Sequence, residues 1–222
     1  AYKYFVDRAS ALALAAGRTP VQWVEVRFEN GEMSGLSSFR LLRSLRINPL
    51  SLLPSLPSSQ VFESFGATLH PATVVHIWKE KSTMLPVLKA GYRALLSNTN
   101  VWYLDHLGVT WQQMYDNEPF SIDENIKINT TTLQALVLGG EACMWGETVD
   151  GSSLEATVWP RAAAVAERLW SEGAVNMTGA SPGVEERMQA FRCLLLRRGV
   201  GVAPLTNAAA RTAPVGPGGC GQ

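Results

Sequence analysis

The hydrophobic positions of the chain fall into two kinds of segment that alternate along the sequence. Short runs rich in β-branched and aromatic residues predict strands, at Val21–Val26, Thr73–Trp78, Arg93–Ser97 and Leu133–Gly139. Runs of helical composition predict helices, at Ala1–Ala16, Met84–Ala90, Thr110–Tyr115, Trp159–Trp170 and Val184–Arg198. Strands that alternate with helices are typical of βα units, so the predicted fold class is α/β with a parallel sheet. Because the strands are nearly all apolar, we expect them to be buried on both faces.

The positions that follow the predicted strands are unusually rich in tryptophan and carboxylates. They are Trp23–Glu25, Trp78, Trp102–Asp105 and Glu141–Glu147. Functional residues of parallel sheets lie just after the carboxyl ends of the strands. Aromatic faces stack on the CH groups of a pyranose, and carboxylates accept hydrogen bonds from its hydroxyls. The pattern therefore predicts a sugar site.

The segment Val26–Gln60 fits neither kind of pattern. It lacks clean periodicity, and its end, Pro49–Ser59, contains only proline, leucine and serine. A loop of this length is uncommon inside a compact domain. Within it, Phe39–Ile47 is basic and somewhat amphipathic, so one hypothesis is a short surface helix that binds a partner protein.

Composition and charge narrow the class of protein. The chain has 222 residues with 19 lysines and arginines and 19 aspartates and glutamates, so its formal net charge is zero. A neutral chain has no general attraction to nucleic acid or an anionic membrane. Apolar residues make up 46% and supply a core, while no run of about 18 apolar residues predicts a transmembrane helix. The sequence starts at Ala1 rather than methionine, and we expect it to begin within a longer protein.

The cysteines and histidines do not form a metal-binding pattern. The chain contains Cys143, Cys193 and Cys220 without a CxxC pair, and its histidines, His70, His76 and His106, are scattered. On that spacing a zinc site is not expected, and the sequence indicates no metal and no cofactor.

Several long motifs resemble one enzyme family. They are Thr19–Trp23 (TPVQW), Trp102–Asp105 (WYLD), Gly139–Glu147 (GGEACMWGE), Trp159–Ala162 (WPRA), Ala166–Trp170 (AERLW) and Phe191–Cys193 (FRC). Together they resemble the β-N-acetylhexosaminidases of glycoside hydrolase family 20, in particular the plant-type enzymes. The match covers nearly the whole chain except Val26–Gln60.

The resemblance implies half of a TIM barrel. The family fold is an eight-stranded (β/α)8 barrel preceded by a smaller α/β domain, and this chain would supply strands five to eight with their helices. Residues 1–203 would be the barrel part, with 26–60 as an irregular insertion, and 204–222 would be a tail tied by a disulfide. The first four strands would be absent.

The resemblance also implies an activity and a missing acid. The family hydrolyses terminal non-reducing N-acetyl-D-hexosamine residues with retention, and the acetamide of the substrate is the nucleophile. The catalytic Asp-Glu pair lies upstream, so the chain alone is expected to be inactive. The chain has one Asp-Glu dipeptide, Asp123-Glu124, and its polar surroundings indicate a solvated loop. Expected binding partners are glycans that end in N-acetylglucosamine or N-acetylgalactosamine, with a homodimer as an option for the complete enzyme.

By motif, six residues take roles in the sugar site. Tyr103 would donate a hydrogen bond to the acetamide carbonyl, and Asp105 and Glu147 would bind sugar hydroxyls. The pocket walls would be three tryptophans, Trp23, Trp78 and Trp145. Without the resemblance, each of these would more often be a core aromatic or an ordinary loop carboxylate. We interpret Glu141, Glu167 and Arg168 as structural residues that pair with each other.

Further implications concern the compartment. Cys193 and Cys220 match the C-terminal disulfide of the family, which leaves Cys143 as a buried free thiol. Glycosylation sequons begin at Asn129 and Asn176. A disulfide and glycans favour the secretory pathway, in a vacuolar, lysosomal or extracellular setting.

The resemblance suggests that Val26–Gln60 is a translated intron. Val26-Arg27 can be encoded as GTG-AGG, a splice-donor pattern, and Gln60 as CAG, the acceptor end. Removing the segment restores the family pattern WVEVFESFG across the junction. The alternative is a genuine loop. Two other interpretations of the chain remain open, which are a non-catalytic carbohydrate-binding remnant and an interaction protein that uses this segment.

Overall fold

In the computed structural model of the chain, the described residues are 2–23, 69–123, 126–172, 177–205 and 220. The insertion Val26–Gln60, the sequon residue Asn176 and Glu124 lie outside them. None of the helices in this described part has both the length and the apolar composition that a membrane crossing requires.

The described elements alternate between strand and helix. The strands are β1 (Val21–Trp23), β2 (Val74–Ile77), β3 (Arg93–Leu96) and β4 (Val137–Gly140). The helices are α1 (Tyr2–Ala15), α2 (Met84–Lys89), α3 (Thr99–Trp102), α4 (Trp111–Asp116), α5 (Thr131–Gln134), α6 (Leu154–Val158), α7 (Arg161–Trp170) and α8 (Val184–Arg197). A short 3-10 helix, Lys81–Thr83, precedes α2.

The strands form one parallel sheet in the order β1-β2-β3-β4. Val21 of β1 pairs with Val74 of β2, which pairs in turn with Arg93 of β3. Ala94 of β3 pairs with Val137 of β4, and the register shifts by an irregularity after Ala94. The predicted α/β class with a parallel sheet is confirmed.

The expectation that all strands are buried on both faces is wrong for the outer strands. All four residues of β2 are buried, but Val21 of β1 is 49% exposed and Leu138 of β4 is 48% exposed. In the described part of the chain β1 and β4 are the edges of the sheet, so each has a neighbouring strand on one side only. An edge strand has less of its surface covered than a central one.

The predicted strand Leu133–Gly139 begins too early. Its first residues belong to α5, where the backbone N–H groups of Leu133 and Gln134 donate to the carbonyl of Thr130. The side chain of Gln134 also donates to the carbonyl of Ile128, at 2.7 Å. These local hydrogen bonds hold a helical turn, and β4 starts only at Val137.

The core lies between the sheet and its helices. Val75, Ile77, Leu96, Trp102 and Met114 are all fully buried there. The indole of Trp102 donates to the carbonyl of Met114 at 2.9 Å, which satisfies a polar atom inside this cluster.

A glycine is required where β4 meets the core. A side chain at Gly140 would collide with the Trp102 ring and with the Leu96 carbonyl. Glycine therefore lets the end of β4 lie directly against β3 and the Trp102 ring.

A disulfide closes the C-terminal region. The structure joins Cys193 to Cys220, the pair that the resemblance implies, across a sequence separation of 27 residues. Cys143 is a free thiol, but it is half-buried rather than fully buried because it lies in the loop after β4.

Replacing both bridged cysteines, Cys193→Ser with Cys220→Ser, is expected to lower the free energy of unfolding by roughly 3 kcal/mol. The reason is that a loop of 27 residues is then free in the unfolded chain. Denaturant unfolding followed by tryptophan fluorescence measures the change, with Cys143→Ser as the matched control. Non-reducing peptide mapping should recover Cys193 and Cys220 in one linked peptide, and finding Cys143 in a disulfide would contradict the assignment.

Candidate functional site

A pocket of about 360 Å³ opens where the carboxyl ends of the strands meet. Its lining residues are Trp23, Trp78, Thr99, Tyr103, Asp105, His106, Trp145 and Glu147. All six residues that the sequence assigned to a sugar site are among them, and Thr99 and His106 are additions. The structure thus brings the predicted residues together around one cavity.

The parallel sheet explains why distant residues meet here. Trp23 is the last residue of β1, Trp78 follows β2, and Thr99 begins α3 just beyond β3. Trp145 and Glu147 lie in the loop after β4. Since all four strands run in the same direction, their carboxyl ends lie at one edge of the sheet.

Aromatic rings form the walls of the pocket. The Trp23 ring lies 5.8 Å from that of Trp78 and 6.1 Å from that of Trp145, between ring centroids. The Tyr103 ring lies 6.2 Å from the Trp145 ring. Trp23 and Trp145 are 43% and 42% exposed, although large aromatics are usually well buried. Exposed indole faces around a cavity offer an apolar surface to a ligand.

Backbone bridges hold the loop that carries Tyr103 against the loop after β4. Tyr103 and Cys143 form a parallel bridge. The N–H of Leu104 donates to the Cys143 carbonyl, and the N–H of Cys143 donates to the Trp102 carbonyl, both at 2.8 Å. The position of Tyr103 relative to Trp145 is therefore fixed by main-chain hydrogen bonds.

Three side chains of the pocket have a buried polar atom without a satisfactory hydrogen bond. These atoms are the Trp78 indole nitrogen, the Tyr103 hydroxyl and one Asp105 carboxylate oxygen, and none forms a hydrogen bond of normal geometry with another described residue. A buried polar atom left unpaired costs about 1–3 kcal/mol, so such atoms are rare in folded proteins. Two donors and an acceptor of residues that line the pocket are thus left without a partner among the described residues.

The surroundings of Tyr103 keep its hydroxyl protonated. Burial is the main cause that raises its pKa, and the neighbouring Cys143, Asp105 and Glu141 raise it further. A polar contact with the Trp145 side chain opposes this rise in pKa. A neutral phenol can donate one hydrogen bond, which suits it to bind a carbonyl oxygen.

Arg161 holds the loop between Leu104 and Val109 in place. This arginine is only 4% exposed, and its guanidinium donates to the carbonyls of Leu104, His106 and Val109, the last two at 2.9 and 3.3 Å. It also donates to the carbonyl of Thr157 at 2.8 Å. Burial lowers the pKa of Arg161, and nearby Asp105 raises it. The sequence placed Arg161 in a motif but gave no sign of this role.

Residues interpreted as structural lie outside the pocket lining, but their named partners differ from the expectation. Glu167 contacts Arg187 at 2.5 Å, and Arg168 contacts Glu118 at 3.2 Å. Glu141 lies 3.2 Å from the Nε2 atom of His76. Each of these pairs joins segments far apart in the sequence, which the sequence pattern could not indicate.

Two predicted surface residues are exposed where the structure describes them. Asn129 is exposed, as an acceptor of a glycan must be. Asp123 is exposed as well, which agrees with its interpretation as part of a solvated loop.

Comparison with known proteins points to one family. Residues 1–173 match the family description "Glycosyl hydrolase family 20, catalytic domain". Beta-hexosaminidase 1 of Arabidopsis thaliana is 39% identical over 221 residues, which cover 99% of this chain and 34% of that relative. Beta-hexosaminidase subunit alpha of Mus musculus is 37% identical over 78% of this chain and 33% of its own length. The chain thus spans about a third of the length of these curated relatives.

Solved structures share the fold. The chitobiase of Flavobacterium johnsoniae superposes with a TM-score of 0.51 at 26% identity, over 75% of this chain and 27% of that protein. A glycoside hydrolase family 20 β-N-acetylglucosaminidase gives a TM-score of 0.57 at 21% identity, over 90% of this chain and 36% of its own. At 21% identity, the similarity to this β-N-acetylglucosaminidase shows a shared fold alone.

Proposed function

Because the chain belongs to glycosyl hydrolase family 20, we propose that it forms the sugar-holding part of a β-N-acetylhexosaminidase. The complete enzyme would remove terminal non-reducing N-acetyl-D-hexosamine residues from glycans and glycoconjugates. The substrate would end in N-acetylglucosamine or N-acetylgalactosamine. Membership of the family makes the protein a glycosidase, and the proposal concerns what this chain contributes to the glycosidase activity.

The unpaired polar atoms inside an aromatic pocket are the observation that carries the proposal. Tyr103 would donate to the acetamide carbonyl of the sugar, and Asp105 and Glu147 would accept hydrogen bonds from sugar hydroxyls. The three tryptophans, Trp23, Trp78 and Trp145, would cover the faces of the sugar and its acetamide. An acetylated sugar has the apolar CH faces, the carbonyl and the hydroxyls that this set of groups can bind.

The proposed mechanism uses the acetamide of the substrate as the nucleophile. Its carbonyl oxygen attacks the anomeric carbon while the bond to the leaving oxygen breaks, and a glutamate protonates that oxygen. A hydrogen bond from the neutral Tyr103 would orient the attacking acetamide. It would also stabilise the charge distribution that develops on the acetamide in the transition state. Water then opens the cyclic intermediate, so the anomeric configuration is retained.

The glutamate and its aspartate partner would come from upstream of this chain. We infer that residues 1–203 are barrel strands five to eight with their helices, that 26–60 is an insertion and that 204–222 is the tail. Two facts support this, namely that the chain spans about a third of its relatives and that β1 and β4 are open edges in the described part. Upstream strands would pair with those edges and close the barrel.

A secretory setting is part of the proposal. The bridge between Cys193 and Cys220 favours an oxidising compartment, and the exposed Asn129 is available to glycosylation. A vacuolar, lysosomal or extracellular location would suit both. The complete enzyme could form a homodimer, and no cofactor enters the proposed reaction.

A carbohydrate-binding remnant without catalysis is the second candidate. It is favoured by the pocket itself, which is assembled in a chain that contains no family-type Asp-Glu pair. Binding of N-acetylglucosamine to the chain alone would fit both candidates, so an activity measurement has to separate them.

Tyr103→Phe is expected to lower kcat about 10²–10³-fold in a hybrid enzyme, since one oriented donor at a developing charge is worth that much. In the hybrid, the upstream part of Arabidopsis thaliana Beta-hexosaminidase 1 precedes this chain, and residues 26–60 are removed. Glu147→Gln should raise KM roughly tenfold or more by weakening a hydroxyl contact. Hydrolysis of a chromogenic N-acetyl-β-glucosaminide gives both constants.

The matched controls are Tyr92→Phe and Glu172→Gln, which alter the same groups outside the pocket. Both controls should keep the constants of the hybrid. An unchanged kcat in Tyr103→Phe would contradict the proposed role of the Tyr103 hydroxyl. A hybrid that binds the sugar but has no activity would favour the second candidate, a carbohydrate-binding remnant without catalysis.

A further inference from the structure

Three side chains with different donor atoms converge at the carboxyl ends of the strands, outside the lining of the sugar pocket. His76 lies in β2, and Glu141 and Cys143 follow β4. Their ligand atoms all lie within 4.8 Å of one another. We call this group the N/O/S cluster, because it offers an imidazole nitrogen, a carboxylate oxygen and a sulfur.

We propose that the N/O/S cluster binds a divalent cation of the zinc class. An imidazole, a carboxylate and a thiolate are the three ligand types that zinc accepts in proteins. A sulfur ligand disfavours magnesium and calcium, which prefer oxygen. Two anionic ligands, Glu141 and deprotonated Cys143, would balance the charge of the ion.

The spacing of the donor atoms is close to what zinc needs. The His76 Nε2 atom lies 3.2 Å from a Glu141 carboxylate oxygen, and the Cys143 sulfur lies 3.9 Å from the same oxygen. Tetrahedral zinc, with bonds of about 2.0–2.3 Å, places its ligand atoms about 3.3–3.6 Å apart. Modest side-chain rotation of Glu141 and Cys143 would therefore bring the three atoms to a common ion.

Burial gives the site one rigid wall and one open side. His76 is 5% exposed, and its Nε2 atom, the one that faces Glu141, also bonds to the hydroxyl of the fully buried Ser97, so that hydroxyl has to turn away when an ion binds. The Glu141 side chain is 52% exposed, so an ion can arrive from solvent on that side. Three protein ligands leave a fourth position of a tetrahedron for water.

The cluster is placed to affect the sugar pocket. The ring of His76 lies 4.6 Å from the ring of Trp23, between centroids. The backbone of Cys143 forms the bridge with Tyr103. Occupation by a metal ion is therefore expected to change the environment of Trp23 as well as that of the ligands.

The test is a titration of the 222-residue chain with Co²⁺, which takes zinc sites and reports a thiolate ligand by a charge-transfer band in the near ultraviolet. Cys193 and Cys220 are joined, so with the disulfide intact Cys143 is the only cysteine of the chain that can give this band. We expect the band to saturate at one Co²⁺ per chain and to disappear when Zn²⁺ is added. The measurement needs no enzymatic activity, so it stands independently of the proposed function.

Variants assign the ligands. Cys143→Ser should abolish the band, and His76→Gln and Glu141→Gln should each weaken Co²⁺ binding at least tenfold. Glu141 is exposed, so its replacement is expected to leave the fold intact, and circular dichroism checks this. The matched control His70→Gln alters an exposed histidine outside the cluster and should keep the wild-type affinity.

Two results would overturn the proposal. One is the absence of the band in a chain whose Cys143 thiol is shown to be free by thiol titration. The other is a band that keeps its affinity in both His76→Gln and Glu141→Gln, because this would reduce the site to a cysteine alone.

Discussion

The 222-residue chain alone is expected not to hydrolyse a chromogenic N-acetyl-β-glucosaminide, while the hybrid enzyme should hydrolyse it readily. The pocket has donors, acceptors and aromatic walls, but its described lining has no carboxylate in the family motif of the general acid. A positioned acid typically contributes about 10²–10⁴-fold to the rate. The proposed partner aspartate, which would orient the acetamide, would also come from upstream of this chain, so the advantage of an internal nucleophile should fall as well.

The geometry of the pocket adds to the loss. In the described part of the chain, Trp23 ends an edge strand and is 43% exposed, so a neighbouring strand supports this wall from one side only. A misplacement of about 1 Å can cost about 10²-fold in rate. The missing acid, the missing aspartate and the loosely held Trp23 each lower the rate, so turnover by the chain should fall below detection.

Three preparations carry this comparison. They are the chain as it stands, the hybrid enzyme, and the hybrid with residues 26–60 restored. Activity in the hybrid but not in the version with the segment would support the interpretation of 26–60 as a translated intron. Robust turnover by the chain alone would instead mean that the catalytic carboxylates lie within this chain and that their assignment to an upstream segment is wrong. Asp105 and Glu147 would then be the first pair to examine.

The sequence predicted that the residues of this pocket would meet, because they end or follow strands. Trp23 ends β1, and Trp78 and Trp145 follow β2 and β4. The common direction of parallel strands brings such positions together. The motifs around Tyr103 and Glu147 added the roles. The position of the site thus followed from the geometry of parallel sheets, whereas the role of each residue came from the family resemblance.

Side-chain contacts between distant segments could not be predicted in this way. Arg161 bonds to the Leu104 carbonyl across 57 positions. The N/O/S cluster joins a residue of β2 to two residues of the loop after β4, and these strands are not neighbours in the sheet. Neither contact produces a recognisable residue spacing in the sequence, because each depends on the tertiary arrangement of elements that are far apart in the chain. The exposure of the edge strands is a further case, since burial depends on neighbours and not on the composition of the strand alone.

The second large effect is expected for Arg161→Met, which should lower the free energy of unfolding of the chain by about 3–5 kcal/mol. The guanidinium satisfies carbonyls of Leu104, His106, Val109 and Thr157 in a buried place. Methionine fills similar space but has no donor, so these carbonyls would lose the hydrogen bonds that the guanidinium donates. Each buried carbonyl left unpaired costs about 1–3 kcal/mol, and water can reach only those near the surface. Denaturant unfolding measures the change, with Arg197→Met, an exposed arginine of α8, as the matched control.

The same substitution should weaken the pocket beyond its effect on stability. The loop that Arg161 holds begins at Leu104, directly after Tyr103, and contains Asp105. A loop released from its anchor would no longer hold the unpaired oxygen of Asp105 and the Tyr103 hydroxyl in one arrangement. Binding of N-acetylglucosamine, followed by tryptophan fluorescence under conditions where the variant stays folded, should fall at least tenfold, whereas Arg197→Met should bind as the original chain does. Arg161→Lys separates charge from geometry, because lysine keeps the positive charge but cannot reach four carbonyls with a planar fork. If Arg161→Lys kept both full stability and full binding, the hydrogen-bonding geometry would not be what holds this loop, and charge near Asp105 would be the remaining cause.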